Sequence, residues 1–342
     1  MRVAMYYSNN DIRIEEFPIP KIGADELLVK VIASGICGSD VMEWYRKPKA
    51  PKVLGHEIAG EIVEVGEKVN NYSKGDRVVV SHHVPCKECI YCSKGYYTLC
   101  DTLRSTNFDP GGFAEYVRVP KINIDKGGVY TLPNEITYEQ ATFIEPLGCV
   151  VRGQRLLKVQ TGDTVLVIGS GISGLLHIQL AHVYGVETVV ATDINEYRMK
   201  VAKKFGATNV INGREDVTSI LKEVNKGKLA NKVIICTAEL SAINQAFHSV
   251  ERAGSILFFA PTEPGIEIPF PLFELWHKQV TFYSTYAAVD EDITESIELI
   301  RSGKINVNEM ITHQLSLADA GVGFELVATA KDSIKVLIMP HK

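Results

Sequence analysis

The stretch "VLVIGSGISGLL", residues 165–176, constrains the fold of this chain more than any other part of the sequence. Its continuous apolar run before Gly169 is typical of a strand buried on both faces. The segment that follows has helical spacing and is predicted to end at Gly185. Because strand and helix patterns keep alternating to about residue 260, we predict a doubly wound parallel sheet of the α/β class.

A glycine-rich loop joins that strand to that helix as G-x-G-x-x-G. Gly169 permits the tight turn, Gly171 lets a pyrophosphate approach the backbone, and Gly174 lets helix and strand pack closely. Ile172 lies in the same loop, where the helix begins and its N–H groups favour an anion. We therefore predict that these four residues bind a dinucleotide; the alternative is a tight turn without a ligand.

Asp193 closes the next strand, about 20 residues after the loop, where a carboxylate can hydrogen-bond a ribose diol. A carboxylate at this place repels a 2′-phosphate, so the sequence predicts NAD rather than NADP as the cofactor. Arg198 follows on the next helix. It is a candidate for contact with the adenine, and the alternative is a solvated helix residue.

The composition is that of an ordinary globular protein: 46% of the 342 residues are apolar, 23% are charged, and the net charge is −5. No run of Lys or Arg stands out, so we expect neither a nucleic-acid nor a membrane partner. The start lacks the apolar core of a signal peptide, and no apolar stretch is long enough to span a bilayer. We therefore expect a cytoplasmic protein.

Two domains are predicted from the change in pattern along the chain. Residues 1–150 show short alternating runs between turn signals, typical of a β-rich domain, and residues 151–285 carry the strand–helix alternation. Residues 286–342 contain a helix-like stretch and the apolar strand "SIKVLIM". We expect this last segment to rejoin the first domain, which would then be discontinuous.

Four of the seven cysteines lie within 15 positions, as C-x2-C-x2-C-x7-C. Four thiolates at this spacing can surround Zn²⁺ tetrahedrally and leave no open position, so we predict a structural zinc lobe over residues 83–102. An iron–sulfur cluster, or a zinc module that binds nucleic acid or a protein, is the alternative. The four predicted ligands are Cys86, Cys89, Cys92 and Cys100.

Further candidate ligands are scattered over the first domain: Cys37 in "SGICGSD", His56 and Glu57 in "LGHEIAG", and Glu145 in "TFIEPLG". Each has an ordinary structural explanation when it is taken alone. A cysteine can be a buried apolar residue, a histidine can be part of a core, and a glutamate can mark the start of a helix. Only the combination of these residues points to a metal centre.

In combination, the motifs resemble those of the zinc-dependent medium-chain alcohol and polyol dehydrogenases over essentially the whole chain. Residues 55–69 match G-H-E-x2-G-x5-G-x2-V, and the Cys-Gly-Ser-Asp segment, the four-cysteine lobe and the nucleotide loop occur in the order of that family. The resemblance implies a GroES-like catalytic domain, a Rossmann domain and a homo-oligomer, either a tetramer or a dimer.

The resemblance also implies roles for individual residues. The catalytic zinc would be held by Cys37, His56 and a carboxylate, with one position open to water or substrate. Glu145 stands where the true alcohol dehydrogenases have a second cysteine, as in the polyol branch. In that branch Glu57 can also bind the metal, so the choice between the two glutamates stays open. Ser39 resembles the hydroxyl that takes the proton of the alcohol.

The implied reaction is oxidation of a secondary alcohol of a polyol or sugar-like substrate to a ketone. Bound to zinc, an alcohol loses its proton near neutral pH, and the zinc-bound alkoxide then expels hydride to NAD. Asp40 resembles the carboxylate that orients the zinc-binding His56.

Departures from the family pattern at Met42, Glu43 and Ala287–Ala288 leave alternatives open. Met42 replaces a histidine that carries the proton to solvent in many relatives, so release would go by water, by the cofactor ribose or through a group such as His83. His83 resembles a histidine near the substrate in threonine dehydrogenases, which makes an L-threonine 3-dehydrogenase-like enzyme the alternative, with a non-catalytic zinc-binding module as a further one. Glu43 and Ala287–Ala288 replace residues of the sorbitol dehydrogenases, which argues against sorbitol itself.

Overall fold

The structure is a computed structural model that describes all 342 residues, and the chain divides into two compact units. The first unit comprises Met1–Gly148 and Ala287–Lys342, and the second comprises Cys149–Tyr286. None of the helices combines the length and the apolar character that a membrane span requires.

The first unit is built mainly from strands. They are β1 (Arg2–Ser8), β2 (Asp11–Glu16), β3 (Leu27–Gly35), β4 (Lys52–Val53), β5 (Glu57–Val65), β6 (Arg77–Val80), β7 (Tyr116–Val119), β8 (Val129–Thr131), β15 (Ile311–Ser316) and β16 (Lys335–Met339). A three-stranded sheet has the order β2-β1-β4. A seven-stranded sheet has the order β15-β16-β3-β5-β6-β8, and β7 also pairs with β3.

Short helices connect these strands. They are α1 (Glu43–Arg46), α2 (Ile90–Ser93), α3 (Asp101–Ser105), α4 (Lys121–Asp125), α5 (Tyr138–Ala141), α6 (Ile144–Leu157), α12 (Asp290–Arg301) and α13 (Ala320–Thr329). The boundary between the two units falls within α6. Turns of 3₁₀ helix lie at Gly38–Val41, Lys47–Lys49, Tyr97–Leu99, Asn308–Met310 and Leu317–Asp319.

The last strand of the chain, β16, lies inside the larger sheet, between β15 and β3. β16 pairs antiparallel with β3, where Leu337 lies opposite Gly35. On its other side β3 pairs with β5, where Gly35 lies opposite Glu57. Both β3 and β16 are buried along most of their length, which explains why their sequences are nearly continuous apolar runs. The last strand therefore belongs to the same unit as the beginning of the chain.

The second unit alternates strands and helices. Its strands are β9 (Thr164–Ile168), β10 (Thr188–Asp193), β11 (Asn209–Asn212), β12 (Ala230–Ile235), β13 (Val250–Phe258) and β14 (Thr281–Ser284). Its helices are α7 (Ile172–Val183), α8 (Glu196–Lys204), α9 (Val217–Val224), α10 (Leu240–Ser249) and α11 (Leu272–His277).

All the strands of the second unit are parallel, in the order β11-β10-β9-β12-β13-β14. Counted within the unit, this is the 3-2-1-4-5-6 order of dinucleotide-binding sheets, and it confirms the predicted doubly wound sheet. The order reverses between β9 and β12, and ligands bind at such a switch point, beyond the carboxyl ends of the strands. The glycine-rich loop directly follows β9.

One histidine of the second unit, His177 on α7, is fully buried. Its backbone carbonyl accepts a hydrogen bond of 2.7 Å from Gln154 Nε2, and its Nδ1 lies 3.2 Å from the same atom. The ring of Phe259 lies edge-on at 4.7 Å between centroids. Burial lowers the pKa of His177 to about 3, so the ring is neutral in the folded protein at neutral pH.

Acid should therefore destabilise the protein through His177. The unfolded chain has a histidine pKa of about 6.5 and binds the proton first, so stability is lost as the pH falls below that value. The loss amounts to about 2 kcal/mol between about pH 7.5 and about pH 5. In urea unfolding, His177→Asn should lose this part of the pH dependence, whereas the control His313→Asn, at a partly exposed histidine of β15, should keep it. The same pH dependence in wild type and His177→Asn would contradict the assignment.

Candidate active site and metal centres

Three predicted metal ligands come from two neighbouring strands of the first unit. β3 ends at Gly35, two residues before Cys37, and β5 begins at Glu57, directly after His56. Because Gly35 pairs with Glu57, the segments that carry the ligands are adjacent. The metal-ligating atoms of Cys37, His56 and Glu57 all lie within 4.8 Å of one another. Sulfur, imidazole nitrogen and carboxylate oxygen are donors that suit Zn²⁺.

The 3₁₀ turn Gly38–Val41 orients these side chains. The Sγ of Cys37 accepts a hydrogen bond of 3.4 Å from the backbone N–H of Ser39, and Asp40 Oδ2 accepts one of 3.1 Å from the N–H of Cys37. The other oxygen, Asp40 Oδ1, lies 3.5 Å from His56 Nδ1. A carboxylate at this position orients an imidazole for metal binding through its second nitrogen.

The electrostatics of this site favour positive charge. Burial lowers the pKa of His56, but the Asp40 carboxylate and the Cys37 sulfur outweigh burial and raise it well above its ordinary value. Burial raises the pKa of Asp40, but His56 and Arg46 outweigh it and hold that pKa below its ordinary value. The negative groups therefore stabilise a cation here, and the donor set fits a divalent metal ion.

Glu57 is engaged by a buried lysine that the sequence analysis missed. Glu57 Oε2 accepts a hydrogen bond from Lys335 Nζ of β16, and both side chains are almost fully buried. Gly35 lies beside the pair, and a Cβ there would come within 2.6 Å of Nζ and still closer to Oε2. The missing side chain of Gly35 is what leaves room for this ion pair. The sequence signal that could have identified Lys335 is its place as a lone lysine inside the apolar run "SIKVLIM".

Glu145 and His83 are the remaining predicted site residues of the first unit. Glu145 is in the first turn of α6 and is not part of the three-residue ligand set. The rings of His56 and His82 lie 4.8 Å apart, and those of His82 and His83 lie 3.8 Å apart. Burial lowers the pKa of His82 well below its ordinary value and that of His83 to about 4. His82 therefore contacts both the predicted ligand His56 and His83.

The four-cysteine lobe brings its sulfur atoms together. Cys86 Sγ lies 3.9 Å from Cys92 Sγ and 3.6 Å from Cys100 Sγ, and Cys89 Sγ lies 3.6 Å from Cys92 Sγ. A tetrahedral site with Zn–S bonds of about 2.3 Å requires sulfur atoms about 3.8 Å apart. All four donors are sulfur, so the lobe fits a closed structural zinc site.

Backbone amides lower the pKa of two of the four thiols, Cys86 and Cys100, whereas burial raises the pKa of Cys92 to about 12. The N–H groups of Glu88 and Cys89 donate to Cys86 Sγ at 3.4 and 3.2 Å, and they lower the pKa of Cys86. Burial raises the pKa of Cys100, but backbone N–H groups, among them that of Cys86, outweigh it and lower that pKa to about 6. Since the thiolate is the form that binds metal, these bonds prepare the lobe for a cation.

The predicted nucleotide loop has the backbone shape that its glycines suggest. Gly169 adopts φ +95°, in the region that favours glycine. A Cβ at Gly174 would overlap the carbonyl oxygen of Gly169, so helix and loop pack too closely for any side chain. The helix α7 begins at Ile172, and no side chain caps it. Its free N–H groups therefore fit an anionic group such as a pyrophosphate.

Asp193 and Arg198 both face this loop. Asp193 Oδ2 accepts a hydrogen bond of 2.8 Å from the N–H of Ser170, and Oδ1 accepts one of 2.9 Å from the N–H of Asn195. The guanidinium of Arg198 lies 3.7 Å from the place where a Cβ of Gly171 would be. Its Nε is buried and lacks a hydrogen-bond partner, unlike that of a solvated helix residue. Carboxylate and guanidinium thus flank the face that a nucleotide would occupy.

Comparison with known proteins agrees with this geometry. The family model of the alcohol dehydrogenase GroES-like domain matches residues 23–134, and that of the zinc-binding dehydrogenase domain matches residues 173–302. Sorbitol dehydrogenase from Bacillus subtilis (strain 168) is 30% identical over 353 residues, covering 100% of this chain and 98% of that protein. L-threonine 3-dehydrogenase from Pyrococcus abyssi is 33% identical over 333 residues, covering 95% and 94%.

A solved structure of an alcohol dehydrogenase from E. coli CFT073, complexed with NADH, superposes with a TM-score of 0.88 at 28% identity and 99% coverage of both chains. The chain therefore belongs to the zinc-dependent medium-chain dehydrogenases, in the polyol dehydrogenase branch. It is an oxidoreductase that acts on alcohols, with a GroES-like and a Rossmann fold as predicted.

Removing the carboxylate of Asp193 should relax the preference for NAD. Asp193→Ala loses the acceptor for the ribose diol and the repulsion of a 2′-phosphate, so kcat/KM with NAD should fall by about tenfold or more relative to that with NADP. Asp193→Asn is the matched control, because it keeps an oxygen for the loop N–H groups while it removes the charge. Steady-state kinetics with both nucleotides measure the ratio, and an unaltered ratio in Asp193→Ala would refute the ribose role.

Proposed function

We propose that this chain oxidises a secondary alcohol of a polyol or sugar-like substrate to a ketone, with NAD as hydride acceptor and zinc as Lewis acid. The observation that carries the proposal is the cluster of Cys37, His56 and Glu57 ligand atoms within 4.8 Å. Similarity to sorbitol dehydrogenase over the whole chain supports a polyol as the substrate class.

Within this proposal, Cys37 and His56 hold the catalytic zinc together with a carboxylate, either Glu57 or Glu145. A bound zinc ion supplies a Lewis acid that makes a substrate hydroxyl more acidic. Asp40 keeps the His56 ring in the orientation that binds metal. Ser39, two residues beyond Cys37, supplies the hydroxyl that contacts the substrate oxygen.

The second unit is the proposed NAD-binding domain, and the first is the proposed catalytic domain. Gly169, Gly171, Ile172 and Gly174 would hold the pyrophosphate at the start of α7. Support for NAD over NADP comes from the Asp193 carboxylate beside the loop. Related structures contain NADH in one case and NADP in another, and they support a nicotinamide dinucleotide in general. Arg198 is proposed to lie along the adenine, which its position beside Gly171 supports.

The four-cysteine lobe is proposed to hold a structural zinc ion through Cys86, Cys89, Cys92 and Cys100. Its sulfur–sulfur distances of 3.6–3.9 Å support this assignment. Such a site closes a loop of the chain and performs no chemistry, since all four positions of the metal are taken by protein.

L-threonine is the second candidate substrate. The chain is 33% identical to an L-threonine 3-dehydrogenase. His83, which resembles a histidine near the substrate in that branch, contacts His82, and His82 contacts His56. A non-catalytic zinc-binding module is not proposed, because the chain belongs to a family of enzymes.

The catalytic assignment predicts different outcomes for two cysteine variants. Cys37→Ser should lower the zinc content from about two ions per chain to about one and remove nearly all turnover, because the catalytic metal loses its thiolate. Cys89→Ser, the matched control, should also lose one zinc ion and melt at a lower temperature, yet keep activity in the cold. Metal analysis, thermal melting and NADH formation from polyols, inositols, sugar phosphates and threonine measure these quantities.

Full activity in Cys37→Ser would refute the assignment of Cys37 to the catalytic site. An inactive but fully stable Cys89→Ser would mean that the four-cysteine lobe is catalytic and the Cys37 site is structural. Oxidation of threonine in preference to every polyol would select the second candidate substrate.

We also propose that the protein is a homo-oligomer, a dimer or a tetramer. Phe270, Leu272, Phe273 and Trp276 expose 45–74% of their surface on or beside α11. Phe270, Leu272 and Trp276 line a cavity together with Phe282 of the edge strand β14. Exposed apolar surface and an open sheet edge both favour association. Sedimentation equilibrium should therefore give a dimer or tetramer, and a monomer at micromolar concentration would refute this proposal.

A cytoplasmic location is likewise a proposal. It is supported by the interpretation of the clustered cysteines as metal ligands. Metal binding requires reduced thiols, and thiols stay reduced in the cytoplasm. Cell fractionation tests it, and recovery outside the cytoplasm would overturn it.

A further inference from the structure

Arg46, at the end of α1, makes three polar contacts with the segment that follows Cys37. Its Nε donates to the carbonyl oxygen of Ser39 at 2.9 Å, and its Nη2 donates to Ser39 Oγ at 2.9 Å. The same Nη2 lies 3.2 Å from Asp40 Oδ1. The Arg46 side chain is only 15% exposed, and its guanidinium lies over the ring of Tyr45 at 4.7 Å. Four separate contacts therefore hold it in one place.

We propose that Arg46 is a positioning residue that fixes the Ser39 hydroxyl as a hydrogen-bond donor to the substrate oxygen. The inference rests on the proposed function. A hydroxyl has one donor hydrogen and two acceptor lone pairs. Arg46 occupies one lone pair with a cationic N–H group, at 2.9 Å from Ser39 Oγ. The hydrogen of Ser39 thereby remains for donation.

Asp40 anchors the guanidinium in this position. Its carboxylate is fully buried, and a buried carboxylate is costly unless charged or polar groups surround it. Arg46 and His56 both approach Oδ1, and the N–H of Cys37 donates to Oδ2. The ion pair thus keeps the planar guanidinium where its second contact reaches Ser39, an arrangement that lysine would not reproduce.

This arrangement also explains how the site can work with Met42 in place of a relay histidine. Neither the thioether of Met42 nor the guanidinium of Arg46 can pass on a proton. A donating Ser39 stabilises negative charge on the substrate oxygen, and this part of its role does not depend on the residue at position 42. With NAD bound, loss of the hydroxyl proton to water and of hydride from the same carbon to the nicotinamide would balance as ketone, NADH and one proton.

A double-mutant cycle in the zinc-loaded enzyme tests the inference. Arg46→Gln should lower kcat by about tenfold or more and change KM by less than about threefold, because charge stabilisation is lost in the transition state. In a Ser39→Ala background, the same change should alter kcat by less than about twofold, because Arg46 acts through Ser39. Additive losses in the cycle would overturn the proposal.

Zinc binding gives a readout independent of activity. Competition with a chromophoric chelator should show the same zinc affinity for Arg46→Gln as for wild type, within about threefold. A larger loss would mean that Arg46 acts through Asp40 and the metal ligand His56, and would overturn the proposal. Lys47→Gln is the matched control, since it removes an exposed neighbouring cation that pairs only with Glu43, and it should leave kcat and zinc affinity unchanged.

If Arg46→Gln does not fold, the same cycle is run with Arg46→Lys. Lysine keeps the positive charge but cannot make the separate Nε and Nη2 contacts of the guanidinium. A lower kcat that disappears in the Ser39→Ala background supports the proposal, and wild-type kcat in Arg46→Lys overturns it. If wild type oxidises none of the alcohols tested, the proposed function fails and this inference fails with it. If wild type is active and the cycle is additive, only the role of Arg46 fails.

Discussion

The buried ion pair between Glu57 and Lys335 links the two ends of the first unit. The partners are 278 residues apart in sequence, one at the start of β5 and one at the start of β16. A charge of either sign in this interior costs several kcal/mol when it is alone, so each partner is tolerated only because the other is present. Glu57 is a member of the predicted metal site, and its buried charge requires Lys335 on β16. The predicted site is therefore complete only when the C-terminal strand has paired in the sheet.

The two candidate metal centres differ in how the chain builds them. The four cysteines of the lobe lie close together in sequence, and backbone N–H groups of the same segment donate to their sulfur atoms. Cys37 and His56 come together only through the pairing of β3 with β5. Of the groups that support them, Asp40 and Arg46 follow Cys37 closely in the chain, whereas Lys335 comes from β16. A local site suits a structural role, whereas a site assembled from distant segments can be oriented to contact a substrate.

Much of the fold was predictable because its signals are local. The apolar run of β9, the glycines after it and the helical spacing of α7 identify a strand–loop–helix unit, and its repetition predicts the parallel sheet that the structure shows. The candidate ligands Cys37, His56 and Glu57 were identified by their motifs, and the structure brings them together. The roles of these residues, and the choice between Glu57 and Glu145, stay predictions.

Lys335 and Arg46 were not found from the sequence, for a physical reason. Neither lies in a motif, and a lysine in a strand or an arginine on a short helix is ordinarily a solvated residue. Their functions depend on which groups the fold places beside them, a carboxylate behind Gly35 in one case and a hydroxyl beside Asp40 in the other.

The sequence by itself determined the alternation of strands and helices, the nucleotide loop, the clustered cysteines and the ligand types, because each is encoded in spacing over a few residues. Only the tertiary structure decided which strands are neighbours, that the C-terminal strand lies beside β3, and that Glu57 faces a lysine. Those outcomes follow from burial and charge pairing between segments far apart in the chain, and no local pattern records them.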